Sequence, residues 1–75
     1  MTLADVKIGD KFTILSIENK DISAQAYRLG ISEGANIYCL EKIPKGPVIV
    51  KRSLQEIAIG RNLAKKIIIK MNKEV

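Results

Sequence analysis

The sequence has no histidine and no tryptophan, one cysteine, two tyrosines and one phenylalanine among its 75 residues. Without histidine, the side chain used most often for general acid–base catalysis and metal binding is missing. A single cysteine forms neither an internal disulfide nor a thiolate metal cluster within one chain. The absence of disulfides also suits a reducing compartment.

The acidic residues and glycines add no catalytic pattern. No two carboxylates have a spacing typical of a ligand cage or an acid–base couple, and the glycines form no phosphate-binding motif. The eight carboxylates are Asp5, Asp10, Glu18, Asp21, Glu33, Glu41, Glu56 and Glu74. We therefore predict that the protein is not an enzyme, needs no cofactor and does not hold a metal by itself.

Long apolar runs are also missing. No stretch approaches the ~18 apolar residues of a membrane-spanning helix, and the N-terminus has no apolar signal region. Nearly half of the residues are nevertheless apolar, at 47%, which favours a folded chain over a disordered one. The prediction is one soluble cytoplasmic domain over residues 1–75.

Charge is unevenly distributed along the chain. Residues 1–37 hold four basic and five acidic side chains, whereas residues 38–75 hold nine basic and three acidic ones. Such asymmetry favours an acidic protein surface, a nucleic acid or an anionic membrane as partner. The alternative is a solvated surface that contributes only solubility, because a net charge of ~2–8 is ordinary for a small domain.

One short helix is predicted after the first strand. Ile22, Ala26 and Leu29 follow at i, i+4 and i+7, which is one face of two helical turns. Asp21 is the predicted N-cap. A helix this short is stable only when packed against the rest of the fold.

The segment 28–34 predicts where that helix ends. Gly30 stands just past the last turn, in the left-handed conformation that glycine adopts cheaply, and Ile31 then folds back onto Ala26. Gly34 supplies a second position where positive φ is cheap. Strand spacing begins after this turn.

Alternation of apolar residues predicts five short strands. In the first, the alternation slips near Leu15, which predicts a bulge or a sharp bend. Turns are predicted at 8–10, 44–47 and near Ser53, and residues 72–75 are predicted to fray. The strands lie within residues 11–17, 35–43, 48–51, 56–59 and 67–71, with a helical turn within 60–66.

These elements favour a mainly β fold, a small five-stranded barrel whose closure removes exposed sheet edges. Cys39 falls on the inner face, where burial raises the pKa of a thiol and makes it unreactive. The predicted interior comprises Phe12, Ile14, Ile17, Leu29, Ile31, Ile37, Cys39, Val48, Val50, Ile57, Ile59, Leu63, Ile67 and Ile69.

The order of several motifs resembles one known family. Gly9-Asp10, the Leu-Gly-Ile-x-x-Gly segment ending at Gly34, Pro47 with its β-branched run, and the closing segment from Ala64 to Ile69 together resemble the ferrous iron transport protein A family, FeoA. The resemblance implies an SH3-like barrel. It also implies a small cytoplasmic protein that acts with FeoB, a membrane ferrous iron transporter with a cytoplasmic GTP-binding part. Gly60 departs from the family, which often has an arginine there, and Arg61 is the candidate substitute.

The predicted function is therefore an accessory protein of ferrous iron uptake that binds and modulates a FeoB-type transporter, with weak self-association as a further expectation. The alternatives are a small-barrel nucleic-acid-binding protein, or a free-standing relative of the C-terminal domain of DtxR-type repressors. Few aromatic residues are available for stacking on bases. An apolar patch is expected where residues of outward parity meet. The candidate partner-binding residues are Tyr27, Arg28, Tyr38, Leu40, Ile49, Arg61 and Ile68.

Overall fold

The computed structural model describes residues 1–72. Five strands form a single antiparallel sheet in the order β4-β3-β2-β1-β5. A 3₁₀ turn, Leu3–Asp5, precedes β1 (Lys11–Ile17), which is followed by helix α1 (Lys20–Arg28). Strands β2 (Asn36–Lys42), β3 (Val48–Arg52) and β4 (Gln55–Ile59) follow, and then helix α2 (Arg61–Ala64) and β5 (Ile67–Met71). The mainly β fold with two short helices is as predicted.

Strand β1 bends at the predicted position. Its pairing with β5 shifts register between Ile14 and Ser16, so that Leu15 lies in a bulge. The bulge lets one strand pair with β2 at its start and with β5 along its length. A second irregularity, between Cys39 and Glu41 of β2, was not expected from the sequence. Residues 37–40 are all apolar, so no slip in alternation could mark it.

The sheet retains one unpaired edge. Within residues 1–72, β4 pairs only with β3, so the expected removal of all sheet edges is only partly achieved. The outer edge of β5 is covered by the start of the chain: Thr2 bridges Ile68, and the Ile69 amide donates to the Met1 carbonyl at 2.9 Å. The connection between β4 and β5 runs through α2.

The end of helix α1 follows the sequence pattern closely. Gly30 has φ +86, and its amide donates to the Tyr27 carbonyl at 2.9 Å. The Ile31 amide donates to the Ala26 carbonyl at 2.9 Å. These two bonds make the Schellman motif. Because the chain reverses here, Ile31 enters the core with no exposed surface, whereas Leu29 is 39% exposed. The prediction that Leu29 is internal was wrong.

The start of α1 also differs from the prediction. Asn19 is the N-cap, and its side-chain oxygen accepts a hydrogen bond from the Ile22 amide at 2.9 Å. Asp21, the predicted cap, lies inside the first turn. Its carboxylate is there favoured by the positive end of the helix dipole. Both residue types cap well, so composition alone did not distinguish them.

The core is larger than the strand pattern indicated. Leu3 and Val6 have no exposed surface, although the sequence showed only two apolar residues in a polar lead-in. Ile17, Ile57 and Leu63 were predicted to be internal and are half-buried against the core. The remaining predicted internal residues are buried, and Ala26, Ala35 and Ala64 join them.

The chain is still hydrogen-bonded at Asn72, where fraying was predicted. The Asn72 amide donates to the Lys11 carbonyl at 3.0 Å, and its side-chain oxygen lies 2.7 Å from Thr13 Oγ1. The rest of the segment predicted to fray, 73–75, lies outside the described residues.

Candidate partner-binding surface

A cleft opens between the end of helix α1 and the β3–β4 hairpin. Tyr27, Gly30, Ser32 and Arg52 line it, and its volume is about 410 Å³. We call it the helix–hairpin cleft. A methyl group placed on Gly30 would stand 3.6 Å from Arg52 Nη1, so the helix end and the hairpin approach closely at this point.

Each wall of the cleft is set by local backbone chemistry. On the helix side, the glycine cap ends α1 so that Tyr27 stays on the outside and is 73% exposed. On the hairpin side, Arg52 pairs with Gln55, which leaves Ser53 and Leu54 as a two-residue turn. Ser53 has φ +55, a conformation that a tight hairpin turn requires.

Large apolar side chains stand exposed beside the cleft. Leu54, at the tip of the hairpin, is 94% exposed, and Leu29 is 39% exposed. The ring of Tyr27 and the guanidinium of Arg52 are of the side-chain types enriched at protein-binding hot spots, and the two leucines add apolar surface that a partner would bury. This chemistry is suited to recognition and offers no nucleophile paired with a base.

Two of the sequence-predicted binding residues, Tyr27 and Arg28, lie at this end of α1, and both are exposed. Arg52 and Leu54 were missed. Both residues lie at the β3–β4 turn, and the helix end near it comes more than 20 positions earlier in the chain. No local sequence pattern therefore marked them. The exposed leucine within a turn signal was the one available clue.

The other predicted residues do not form one patch with the cleft. Tyr38 and Leu40 on β2 and Ile49 on β3 are half-buried, and Ile68 on β5 is 36% exposed. Strand β1 lies between β2 and β5. Ile68 is therefore separated from the other three by a full strand.

Arg61 begins helix α2 and is half-buried. Its Nε is buried and has no hydrogen-bond partner within residues 1–72. Gly60, which precedes it, is the N-cap of α2 at φ −58, and a Cβ there would meet nothing within 4 Å. Glycine is thus not required at this position by the backbone or by space.

Cys39 is fully buried, as predicted. Burial raises the pKa of its thiol above the ordinary value, while Lys42 acts weakly in the opposite direction. The thiol donates to the Glu41 carbonyl at 3.9 Å. Among the described residues, no three His, Cys, Asp or Glu side chains group together as metal ligands.

Known proteins share both the sequence pattern and the fold. The FeoA domain model matches residues 1–71. The chain belongs to the FeoA family. Members of this family are associated with ferrous iron transport. No curated protein sequence matches the chain significantly, and no helix among residues 1–72 is long and apolar enough to cross a membrane.

Solved structures show the same fold. The crystal structure of an iron uptake regulatory protein, FeoA, is 27% identical to this chain; the match covers 96% of this chain and 97% of that one, with a TM-score of 0.90. The zinc complex of FeoA from Stenotrophomonas maltophilia, described as an SH3 domain protein, is 21% identical over 93% and 89% of the two chains, with a TM-score of 0.77.

A regulator shares the fold as well. The manganese regulator SloR is 15% identical, and the match covers 96% of this chain but only 34% of SloR, with a TM-score of 0.84. At this identity the likeness concerns the fold alone. The SH3-like barrel implied by the sequence is therefore confirmed, and it occurs both in FeoA proteins and as a part of a larger regulator.

Proposed function

We propose that this protein is a non-enzymatic accessory of ferrous iron uptake, which docks through the helix–hairpin cleft on the cytoplasmic GTP-binding part of a FeoB-type transporter and modulates it. The observation that carries the proposal is the exposure of two large side chains: Tyr27, 73% exposed, lines the cleft, and Leu54, 94% exposed, lies at the tip of the hairpin whose Arg52 lines it. Large side chains with exposed apolar surface near a cleft are typical of a docking site.

The cleft's charge supports a protein partner of this kind. Arg52 is half-buried and lines the cleft, so a carboxylate that enters the cleft would meet a guanidinium, whose parallel N–H donors favour bidentate binding. The basic second half of the chain would speed the approach to an acidic partner surface.

The experiment measures binding of the whole chain to the purified GTP-binding domain of the transporter by calorimetry, with and without guanine nucleotide. Leu54→Ser should weaken binding about tenfold or more, because burial of a leucine side chain contributes ~1.5–3 kcal/mol. Ile8→Ser is the matched control, since Ile8 is also an exposed turn residue, at 63%, away from the cleft.

Binding that is lost with Leu54→Ser and kept with Ile8→Ser supports docking at the cleft. Equal binding by both variants would place the contact elsewhere, and failure of the unmodified chain to bind in either nucleotide state would disprove the transporter as partner.

The likeness to SloR favours a second candidate, a free-standing relative of a regulator's barrel domain. Such a protein would bind a segment of a regulator instead of the transporter. The same calorimetry with the regulator as titrant distinguishes the two functions.

A further inference from the structure

The outer face of the sheet carries a row of side chains from three strands. Tyr38 of β2 lies directly opposite Lys51 of β3 on one side and Lys11 of β1 on the other. Residues that face each other in this way have Cβ atoms about 4.5–5.5 Å apart. The tyrosine ring is thus flanked by two lysines that are 13 and 27 positions away in the sequence.

A second row lies beside the first. Thr13 of β1 is opposite Asn36 of β2 and Lys70 of β5. The side chains of Lys51 and Lys70 are exposed, and neither forms a hydrogen bond or an ion pair with another side chain of residues 1–72. Glu56 of β4 lies opposite Lys51 on the side away from Tyr38, but the two side chains form no ion pair, so the Lys51 ammonium remains open to a ligand.

The two rows border two adjoining cavities. A cavity of about 240 Å³ includes Lys51 and Tyr38 in its wall, and one of about 740 Å³ includes Lys70. Asn36 and Asn72 line both cavities. No carboxylate of residues 1–72 lines either one. We call these two cavities together the outer groove and define it by Lys51, Tyr38, Asn36, Thr13, Asn72 and Lys70.

The floor of the outer groove is a hydrogen-bonding surface. Thr13 Oγ1 lies 2.9 Å from the side-chain oxygen of Asn36 and 2.7 Å from that of Asn72. A hydroxyl has one proton, so it can donate to only one of these oxygens at a time. The two amide side chains retain donors and acceptor capacity. A peptide group, which has one donor and one acceptor, is complementary to them.

We propose that the outer groove binds an acidic, extended peptide segment of a partner protein. The lysines provide the charge complementarity, and the amides provide contacts to the peptide backbone. This site is separate from the helix–hairpin cleft: Lys51 and Arg52 are successive residues of β3, and successive strand residues point to opposite faces. The inference does not depend on which protein docks at the cleft.

A nucleic acid fits this groove less well. Binding to single strands relies on several phosphate contacts and on several aromatic rings for stacking. The outer groove offers one ring, Tyr38, and its floor consists of neutral amides. A peptide needs only two charges and a polar backbone contact.

Strand geometry also gives the spacing of the acidic residues. Lys51 on β3 and Lys70 on β5 are three strand spacings apart across the sheet, about 14 Å at ~4.8 Å each, and two residues apart along the strands, about 7 Å. Their backbones are thus about 16 Å apart, a separation that the long lysine side chains shorten when they turn toward one ligand. Along an extended peptide, residues i and i+4 point the same way and are separated by about 13–14 Å at ~3.3–3.4 Å per residue. Two glutamates four positions apart would therefore reach both lysines.

The test titrates the whole chain with a synthetic ten-residue peptide that has two glutamates four positions apart in a threonine- and valine-rich sequence. The same peptide with glutamine at both positions is the control ligand. The variant Lys51→Gln/Lys70→Gln is compared with Lys65→Gln/Lys66→Gln, which removes two exposed lysines outside the groove and changes the net charge equally.

We expect the acidic peptide to bind the unmodified chain and the Lys65/Lys66 variant alike, and the Lys51/Lys70 variant about fivefold more weakly, since exposed ion pairs contribute modestly. Asn36→Asp, which places a carboxylate in the groove at constant shape, should weaken binding further. Amide chemical shifts in NMR spectra would verify that each variant is folded.

Three results would overturn the proposal: no binding of the acidic peptide, equal binding of the glutamine peptide, or equal losses in the two double variants. Tighter binding of a single-stranded oligonucleotide, with affinity that falls steeply with salt, would assign the groove to nucleic acid instead.

Discussion

Replacement of Gly30 by alanine tests the backbone feature that joins α1 to the sheet. Gly30 has φ +86, where an L-residue pays about 1–2 kcal/mol because its Cβ crowds the backbone carbonyl. Space is not limiting, since the added methyl would find Gln55 Oε1 at 3.4 Å and Ile57 Cδ1 at 3.8 Å, ordinary van der Waals distances.

The magnitude follows from two opposing effects. The strain lowers the stability of the folded state, but alanine also raises stability by ~0.4–1 kcal/mol, because it restricts the unfolded chain more than glycine does. The net loss of stability for Gly30→Ala is then about 1 kcal/mol. With an unfolding entropy of ~2.1 cal/mol/K per residue, a chain of 75 residues should melt about 6 °C lower.

Thermal unfolding followed by circular dichroism measures this change, and two other glycines supply controls. Gly34 has φ +85, and a Cβ added there would meet nothing within 4 Å. If backbone strain alone acts, Gly34→Ala should lower the stability as much as Gly30→Ala does. Gly60 has φ −58, so Gly60→Ala should stay within ~0.5 kcal/mol. An unchanged melting temperature for Gly30→Ala would refute the reasoning, and a loss beyond ~3 kcal/mol would mean that the methyl collides with the hairpin.

Three further predictions concern other parts of the fold. Asn19→Ala should lower the free energy of unfolding by about 1 kcal/mol, measured by urea titration, whereas Asp21→Ala should cost less because Asp21 accepts no cap bond; equal losses would contradict the assignment. Cys39 should react with a thiol reagent at the rate of unfolding, because its thiol is buried and its pKa raised; fast labelling of the native chain would exclude this. Hydrogen bonds from Thr2 lower the pKa of Asp5 below 3.8. The stability that Asp5 contributes is therefore present above pH 3.8 and is lost as the pH falls below it, so the unfolding free energies of Asp5→Asn and the unmodified chain should converge in acid; a gap that stays constant with pH would disprove the linkage.

Much of the fold was predictable because its signals are local. The helix end at Gly30 depends on one residue's freedom to adopt positive φ, and the bulge at Leu15 on a slip in alternation over a few residues. Burial of Cys39 follows from its position two residues after Ile37 in β2, on the same face of the strand. Leu29 and Asp21 were misplaced because a helix boundary can shift by one or two residues without changing the sequence pattern.

The candidate surfaces were less predictable, because they join parts of the chain that only long-range pairing brings together. Nothing in the sequence indicates that Arg52 and Tyr27 would line the same cleft, since this requires the hairpin to lie near the helix end. The burial of Leu3 and Val6 was not predicted from the sequence, because it depends on how the start of the chain packs against β5.

The amino-acid sequence by itself determined the chemistry that this protein lacks, the alternation that makes five strands, and the glycine at which the helix stops, because each depends on side-chain type or on neighbours within a few positions. The tertiary structure alone decided which residues share a surface. Strand register is set by the packing of distant side chains, and that register places Lys51 beside Tyr38. The packing of the hairpin near the helix end brings Arg52 and Tyr27 to one cleft.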